Sequence, residues 1–325
     1  MKKVLVLAPR LDVTFKEGPV PTERGLIVPI RVHWMNFVIK VAEEHRSRGD
    51  EVSIIELPLW QFTPKIVEDL HPDIVYIPHK ERRSFPVSAE IDARYYMQTV
   101  FPWRFYIDSM GWAGGSSIYP ATELVTRTPN SRHHFSELKQ YILSGGSKFE
   151  QPPISGITLP RRFVFFPCQI PHDETIKYHS SISVEGALQR TAAACQDLGI
   201  PLIVKGHPIN PASMSPLKDI CDKYRLNTTW IDNVSIHEII PKAKVVVCVN
   251  SGTGMESLLH SIPVITFGRC EYDIVTMRAN GDDTGIKTMI TLPLIDMNTV
   301  EKFFNNWCEW TYSTQSSSTD FNRLT

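Results

Sequence analysis

AKVVVCVNSGTGMESLLHSIPVITFG, residues 243–268, decides the fold. The unbroken apolar run Val245–Val249 reads as a strand buried on both faces. A turn of Asn250, Ser251, Gly252, Thr253 and Gly254 follows, then a helix that carries Glu256 near its start, then a second apolar run at Pro263–Phe267. Strand, glycine-rich turn, helix and strand in that order predict one unit of a parallel α/β sheet. Glycine lets the backbone turn its N–H groups inward and a helix N-terminus adds partial positive charge, so such a turn suits a phosphate. Ser251 and Thr253 could add hydroxyl donors, and Glu256 could accept from ribose hydroxyls. The same residues also read as an ordinary capped helix, with Glu256 favouring its dipole. The turn is neither a Walker loop nor GxGxxG.

The alternation extends outward in both directions. Towards the C-terminal half run a strand at RFVFFPCQ (162–169), a helix at SVEGALQRTAAACQDLG (183–199), a strand at IPLIVKGHP (200–208), a helix at SPLKDICDKYR (215–225), a strand at NTTWID (227–232) and a short helix at SIHEIIPKA (235–243). Nearer the start, KKVLVLAP (2–9) and PDIVYIPH (72–79) read as buried strands, and WMNFVIKVAEEHRSRGDEVSIIEL (34–57) as a helix stopped at Gly49 and a further strand. The pattern begins afresh after SGGSKFEQPPISGITLPRR (144–162), a Gly, Ser and Pro stretch that reads as a linker or domain edge. Two Rossmann-like, doubly wound domains are expected, at 1–155 and 156–325. The tail DMNTVEKFFNNWCEWTY (296–312) has Phe303, Phe304, Trp307 and Trp310 at helical spacing and is expected to pack back as a helix. STQSSSTDFNRLT (313–325) reads as frayed.

Composition narrows the classes. Of 325 residues, 42% are hydrophobic and 21% charged, and 34 basic against 35 acidic side chains leave a formal charge of -1. That balance excludes a general affinity for nucleic acid or an anionic membrane, so any anion site is local. Cys168, Cys195, Cys221, Cys248, Cys270 and Cys308 form no CxxC pair, which points to a reducing cytosol and no zinc. No stretch approaches the ~20 apolar residues of a membrane span, so membrane contact is expected to be peripheral.

Three further loops carry candidate chemistry at the carboxyl edge, where open α/β sheets bind ligands. LIVKGHPIN (202–210) ends a strand in Lys205, Gly206 and His207, a cation and an imidazole able to neutralise phosphate oxygens. FFPCQIPHDETIKYHSS (165–181) crowds Gln169, His172, Asp173, His179 and Ser180 after a strand; its plainer reading has Asp173 capping a helix. FYIDSMGWAGGSSIYP (105–120) ends an apolar run in Asp108 and turns through glycines, which also reads as an Asx-type turn. The long loop Leu11–Pro29 after the first strand is the candidate acceptor loop.

FFPCQIPHDETI, VKGHP and VNSGTGMESLLHSIPVITFG, in this order and spacing, resemble the bacterial capsular polysaccharide biosynthesis and export family, whose best-known members are Kdo transferases. The resemblance is strongest from Phe163 to Tyr272 and weak over the first hundred residues. It implies a GT-B glycosyltransferase, with the acceptor on the first domain, a nucleotide-sugar donor on the second and reaction in the cleft between them. Donor-binding residues would be Gln169, Lys205, His207, Asn250, Ser251, Gly252, Thr253, Gly254 and Glu256, with no metal required. Retaining chemistry would place the nucleophile on Asp173 and the acid/base carboxylate on Asp108. CMP-Kdo or a UDP-sugar would be the donor and a surface polysaccharide or glycolipid the acceptor; the expected location is cytoplasmic, with peripheral association at the inner face of the membrane as a further option.

The chain departs from the family where Asp173-Glu174-Thr175 replaces an Asp-Ser-Gln pattern and where YIDSMGW (106–112) replaces a Glu-Asp-Gly segment. Those departures leave the donor open, and also an inverting transfer with a single base. Two rivals stand beside the glycosyltransferase: an enzyme of the UDP-GlcNAc 2-epimerase type, and a non-catalytic sugar-nucleotide-binding assembly subunit.

Overall fold

The structure, a computed structural model, describes residues 1–10, 27–208, 214–279 and 283–315. The expected acceptor loop lies outside the described residues except for Ile27–Pro29, which open a helix. The described chain falls into two compact units, Met1–Ser117 with Cys308–Thr325, and Ile118–Trp307. The Gly, Ser and Pro stretch 144–162 lies inside the second unit.

Unit 1 contains β1 (Lys3–Pro9), α1 (Ile27–Ser47), β2 (Glu51–Leu57), α2 (Pro64–Leu70), β3 (Ile74–Pro78), β4 (Asp92–Gln98) and β5 (Arg104–Asp108). Alternate residues of β1 serve opposite faces. Val4, Val6 and Ala8 pack against Trp34, Phe37, Val38 and Val41 of α1, while Leu5 and Leu7 join Val67 of α2. Phe37 stacks between Tyr96 and Phe105, with ring centroids at 4.6 and 4.4 Å. Burial of each such side chain stabilises the unit by roughly 1.5–3 kcal/mol. Gly49 takes a left-handed φ of 84°, which ends α1 as its position in the sequence predicts.

Unit 2 contains α3 (Glu123–Thr126), α4 (His134–Leu143), β6 (Val164–Pro167), α5 (Glu174–His179), α6 (Val184–Leu198), β7 (Leu202–Lys205), α7 (Ser215–Lys223), β8 (Thr228–Ile231), α8 (Ile236–Ile239), β9 (Val245–Cys248), α9 (Gly252–Leu259), β10 (Val264–Thr266), β11 (Met277–Arg278) and α10 (Asp283–Thr291). The amphipathic tail forms α11 (Met297–Trp310), which begins in unit 2, and β12 (Tyr312–Ser313) completes unit 1.

The unit 1 sheet runs β12-β5-β4-β3-β1-β2. Its β2 to β4 strands are parallel, but β5 is antiparallel to β4, and β12 antiparallel to β5. The sheet is thus parallel-rich, with an antiparallel edge formed by β5 and β12. Arg104 on β5 is buried and donates to Cys308 O at 2.8 Å and Thr311 Oγ1 at 3.1 Å, fixing the returning segment beside that strand.

The unit 2 sheet runs β11-β10-β9-β6-β7-β8 and is parallel throughout. Strand order reverses at β6: the chain proceeds outward through β7 and β8, then returns to lay β9 along the other side of β6. A reversal of this kind leaves the loops after the two central strands diverging, and α/β sheets bind ligands there. Both loops belong to motifs read from the sequence. The fold is α/β with two parallel-rich sheets, as GT-B proteins have.

Candidate functional site

The loops after β6, β7 and β9 meet at the carboxyl edge of the unit 2 sheet. Gln169 after β6 is buried and spans the strand-order reversal: its Oε1 accepts from the N–H groups of Val249 (3.1 Å) and Asn250 (3.0 Å), and its Nε2 donates to Asn250 Oδ1 (2.9 Å). Asn250 Nδ2 donates onward to Thr175 O at 3.1 Å. These two amides, both candidate donor ligands, hold the β6 and β9 loops in register.

Asp173 caps α5, its Oδ1 accepting from Thr175 N (2.8 Å) and Thr175 Oγ1 (2.6 Å). Its other oxygen, Oδ2, has no hydrogen bond among the described residues. Capping and a reactive role are therefore compatible, since one oxygen orients the carboxylate and the second stays available.

Ser251 caps α9, its hydroxyl accepting from Thr253 N at 3.3 Å. Tyr272 Oη donates to Ser251 O. A Cβ on Gly254 would lie 2.5 Å from that hydroxyl and 2.7 Å from the ring, so this glycine is required by close packing. Glu256 lies one turn further along, 3% exposed, with Ser147 Oγ donating to its Oε1 at 2.5 Å. Burial pushes its carboxyl up to about 7, although hydrogen bonds from Ser147 and Thr253 and the charges of Lys205 and Lys148 pull the other way.

Lys205 ends β7 with 7% exposure, and its ammonium has no hydrogen-bond or ion-pair partner among the described residues. Burial draws it below the ordinary lysine value, opposed by the more distant Asp232, Cys168 and Glu256. A buried cation without a partner is expensive, and bound anions relieve that cost. Gly206 next to it has no room for a side chain, because a Cβ would meet Asp232 Oδ1 at 2.8 Å and the Trp230 ring at 2.9 Å.

Burial pushes His207 down to about 4, with Asp173 opposing and Lys205 and Lys148 assisting. At neutral pH it offers a neutral imidazole, able to donate one N–H to an anion. The second cation in this neighbourhood is Lys148, from the stretch read as a linker. Half-buried, it is lowered by burial to about 8 while Asp173 and Glu256 hold it up. Sequence reasoning missed Ser147, Lys148 and Phe149; the one available signal was a Ser-Lys-Phe run interrupting a Gly and Pro stretch.

In unit 1, Asp108 is buried, and its Oδ1 accepts from the N–H groups of Met110 (2.8 Å), Gly111 (3.2 Å) and Ser117 (2.9 Å), while Ser117 Oγ donates to its Oδ2 at 2.5 Å. This is the Asx-type arrangement, with the carboxylate organising the loop that follows β5. Among the described residues no three His, Cys, Asp or Glu side chains form a group able to hold a metal ion. No described helix is long and apolar enough to cross a membrane.

Residues 145–289 match the family described as "Capsule polysaccharide biosynthesis protein". That span includes Lys148, Asp173, Lys205, His207, Ser251 and Glu256, and leaves out Asp108. Two solved structures share the fold. A Thermosulfurimonas dismutans KpsC, beta Kdo 2,7 transferase, is 15% identical with a TM-score of 0.59, covering 99% of each chain. A KpsC beta Kdo 2,4 transferase from the same organism is 16% identical with a TM-score of 0.52, covering 83% of this chain and 87% of that one. Protein FixF of Sinorhizobium fredii is 27% identical over 197 residues, which are 57% of this chain and 44% of FixF. The chain thus spans less than half the length of that relative.

Proposed function

We infer that this chain, whose residues 145–289 match the capsule polysaccharide biosynthesis family, is a glycosyltransferase that moves a sugar from a nucleotide-sugar donor to a glycan or glycolipid acceptor. One observation carries the reading. Lys205 is nine-tenths buried and without a partner among the described residues, at the carboxyl edge of a parallel sheet whose strand order reverses beside it. A phosphate ester supplies that missing partner, and the N-terminus of α9 supplies further donors.

In this reading Lys205 and the His207 imidazole stabilise the negative charge that grows on the leaving phosphate. Asp173 Oδ2 attacks the anomeric carbon, the bond from that carbon to the phosphate oxygen breaks, and a glycosyl-enzyme ester forms with the nucleotide released. The acceptor hydroxyl then takes the sugar and gives up its proton, and the Asp173 carboxylate is restored. For the proton, Asp108 would act through Oδ2, exchanging the Ser117 hydroxyl for that of the acceptor. CMP-Kdo is the leading donor by likeness to the KpsC transferases, and UDP-sugars are the alternative.

Nucleotide release from CMP- and UDP-sugars tests the proposal. Wild-type protein should release nucleotide from at least one donor, and Asp173→Ala should release none. Denaturing mass spectrometry after donor-only incubation should find one sugar attached at Asp173; turnover with an unmodified enzyme mass would replace double displacement with an inverting transfer. No release from any donor, with glycan and glycolipid acceptors supplied, would overturn the transferase reading.

A further inference from the structure

Lys148 stands outside every motif discussed for the donor site, yet both of its chain neighbours are anchored to that site's loops. On one side Ser147 Oγ donates to Glu256 Oε1 at 2.5 Å, reaching into α9. On the other the Phe149 ring meets the His207 ring edge-on, with centroids 5.7 Å apart, just beyond β7. With Ser147 held by α9 and Phe149 packed on His207 after β7, Lys148 is held at this edge, and its charge interacts with groups of three of the site's segments. The charged and titratable groups in its field are Asp173 at the start of α5, Glu256 on α9 and His207 after β7, with the Phe149 ring 5.9 Å from its Nζ.

Resting on the nucleotide-sugar reading, we propose that Lys148 is a second donor-binding cation, which joins Lys205 in neutralising the phosphate ester and is positioned by the Ser147–Glu256 hydrogen bond. Lys205 brings one positive charge to the edge, whereas the phosphate gains a second negative charge as the sugar bond breaks and a nucleoside monophosphate leaves. Lys148 supplies the difference. Its pKa of about 8 gives the assignment a distinctive signature, because the ammonium discharges within a readily accessible pH range. The phosphate is fully ionised across that range, its second pKa being about 6. Nucleotide affinity should therefore weaken from pH 8 to 9.5 as the ammonium loses its proton. Glu256 completes its titration below this window, since its value is about 7.

The test is isothermal titration of the full chain with CMP and, separately, with UDP, at constant ionic strength and at pH 7.5, 8.5 and 9.5. Lys148→Met should weaken binding roughly ten- to hundredfold at pH 7.5, the loss expected for one charge-assisted hydrogen bond, and should remove its share of the alkaline fall. Lys148→Arg should restore most of the affinity and hold it to pH 9.5. Lys205→Met should weaken binding while keeping the fall that belongs to Lys148. Ser147→Ala should lose part of the affinity with the alkaline fall displaced, which a purely structural loss would not produce. A second measurement needs no variant. Acetic anhydride at pH 8 should modify Lys148 in the free protein, and bound CMP or UDP should protect it, as read by peptide mass.

Wild-type binding with Lys148→Met equally tight, or with its pH dependence unchanged, would overturn the proposal, as would labelling of Lys148 indifferent to nucleotide. Failure of the wild type to bind either nucleotide would instead strike the donor-site reading itself, and this assignment with it.

Discussion

Replacing Glu256 with glutamine should stabilise the protein above pH 7 and leave it unchanged near pH 4.5. Glu256 is 3% exposed, and burial raises its carboxyl from the ordinary 4.5 to about 7. Between those two values the folded chain keeps a proton that the unfolded chain has released, so stability falls as pH rises through the window. At about 1.4 kcal/mol per pH unit the full difference is about 3 kcal/mol, reached above pH 7. Glutamine has no proton to lose and retains an oxygen for Ser147 Oγ. The stability difference between variant and wild type should accordingly grow from near zero at pH 4.5 to about 3 kcal/mol at pH 8. Urea unfolding followed by tryptophan fluorescence, at half-unit pH steps on both proteins, measures it. Buried thiols raised above their ordinary value, such as Cys195 and Cys248, titrate at higher pH and cancel in the difference. A difference flat with pH, or a variant less stable than wild type at pH 8, would refute the reasoning: the ionised carboxylate would then be held by its cations and not strained by burial.

Asp173→Asn should keep the cap on α5 and bind nucleotide while losing nucleotide release; Asp173→Ala should also lose about 1 kcal/mol of stability with the cap. Release at the wild-type rate from the asparagine variant would remove Asp173 from the chemistry. Gly254→Ala should cost about 1–3 kcal/mol, as overpacking does, because the added methyl meets the Tyr272 hydroxyl at 2.5 Å; a Tm unchanged by the substitution would show that Tyr272 moves freely. Lys205→Met should raise the Tm of the free protein, by relieving a buried unpaired charge, and lower the further rise produced by CMP or UDP. A lower Tm for the free variant would mean that the ammonium already has a stabilising partner.

The sheet of unit 2 was legible because its strands are short apolar runs bounded by Gly, Pro and capped helices, each local signal agreeing with the next. Even its stops are where the sequence puts them: Gly199, with φ of 63°, closes α6, Gly199 N donating to Gln196 O at 3.2 Å and Ile200 N to Cys195 O at 3.0 Å. Unit 1 was harder at β4, where DARYYMQ carries Asp92 and Arg94 and reads as polar. The structure buries Arg94 by pairing it with Asp92 at 2.6 Å and letting it donate to Tyr76 Oη at 2.9 Å, partners that no local pattern reveals. The two-residue β12 pairs with β5 from some 200 positions away in the chain, and strands that short have no periodicity to read. At the site, Lys205 and the Ser251 turn were visible because strand ends and glycine-rich turns announce themselves. Lys148 was not, because its place depends on the contacts of Ser147 and Phe149 with residues distant in sequence. The burial that lowers His207 was not legible either, since burial is a property of the folded chain.

The shifts at this edge run opposite to those of a structural ion-pair network. In a self-sufficient network, paired lysines rise above their ordinary value and paired carboxylates fall. Here the opposite holds: Lys148 and Lys205 are lowered and Glu256 is raised, and in all three burial is the largest cause, with the mutual attractions too weak to reverse it. At all three groups burial thus outweighs the attraction of the neighbouring charges. An arriving phosphate would raise both lysines towards their ordinary value and raise Glu256 further, so that all three groups respond by holding protons more tightly. A neutral glycan offers no such compensation. On the nucleotide-sugar reading, binding of the phosphate is therefore expected to be accompanied by proton uptake at neutral pH, which calorimetry in buffers of different ionisation enthalpy measures.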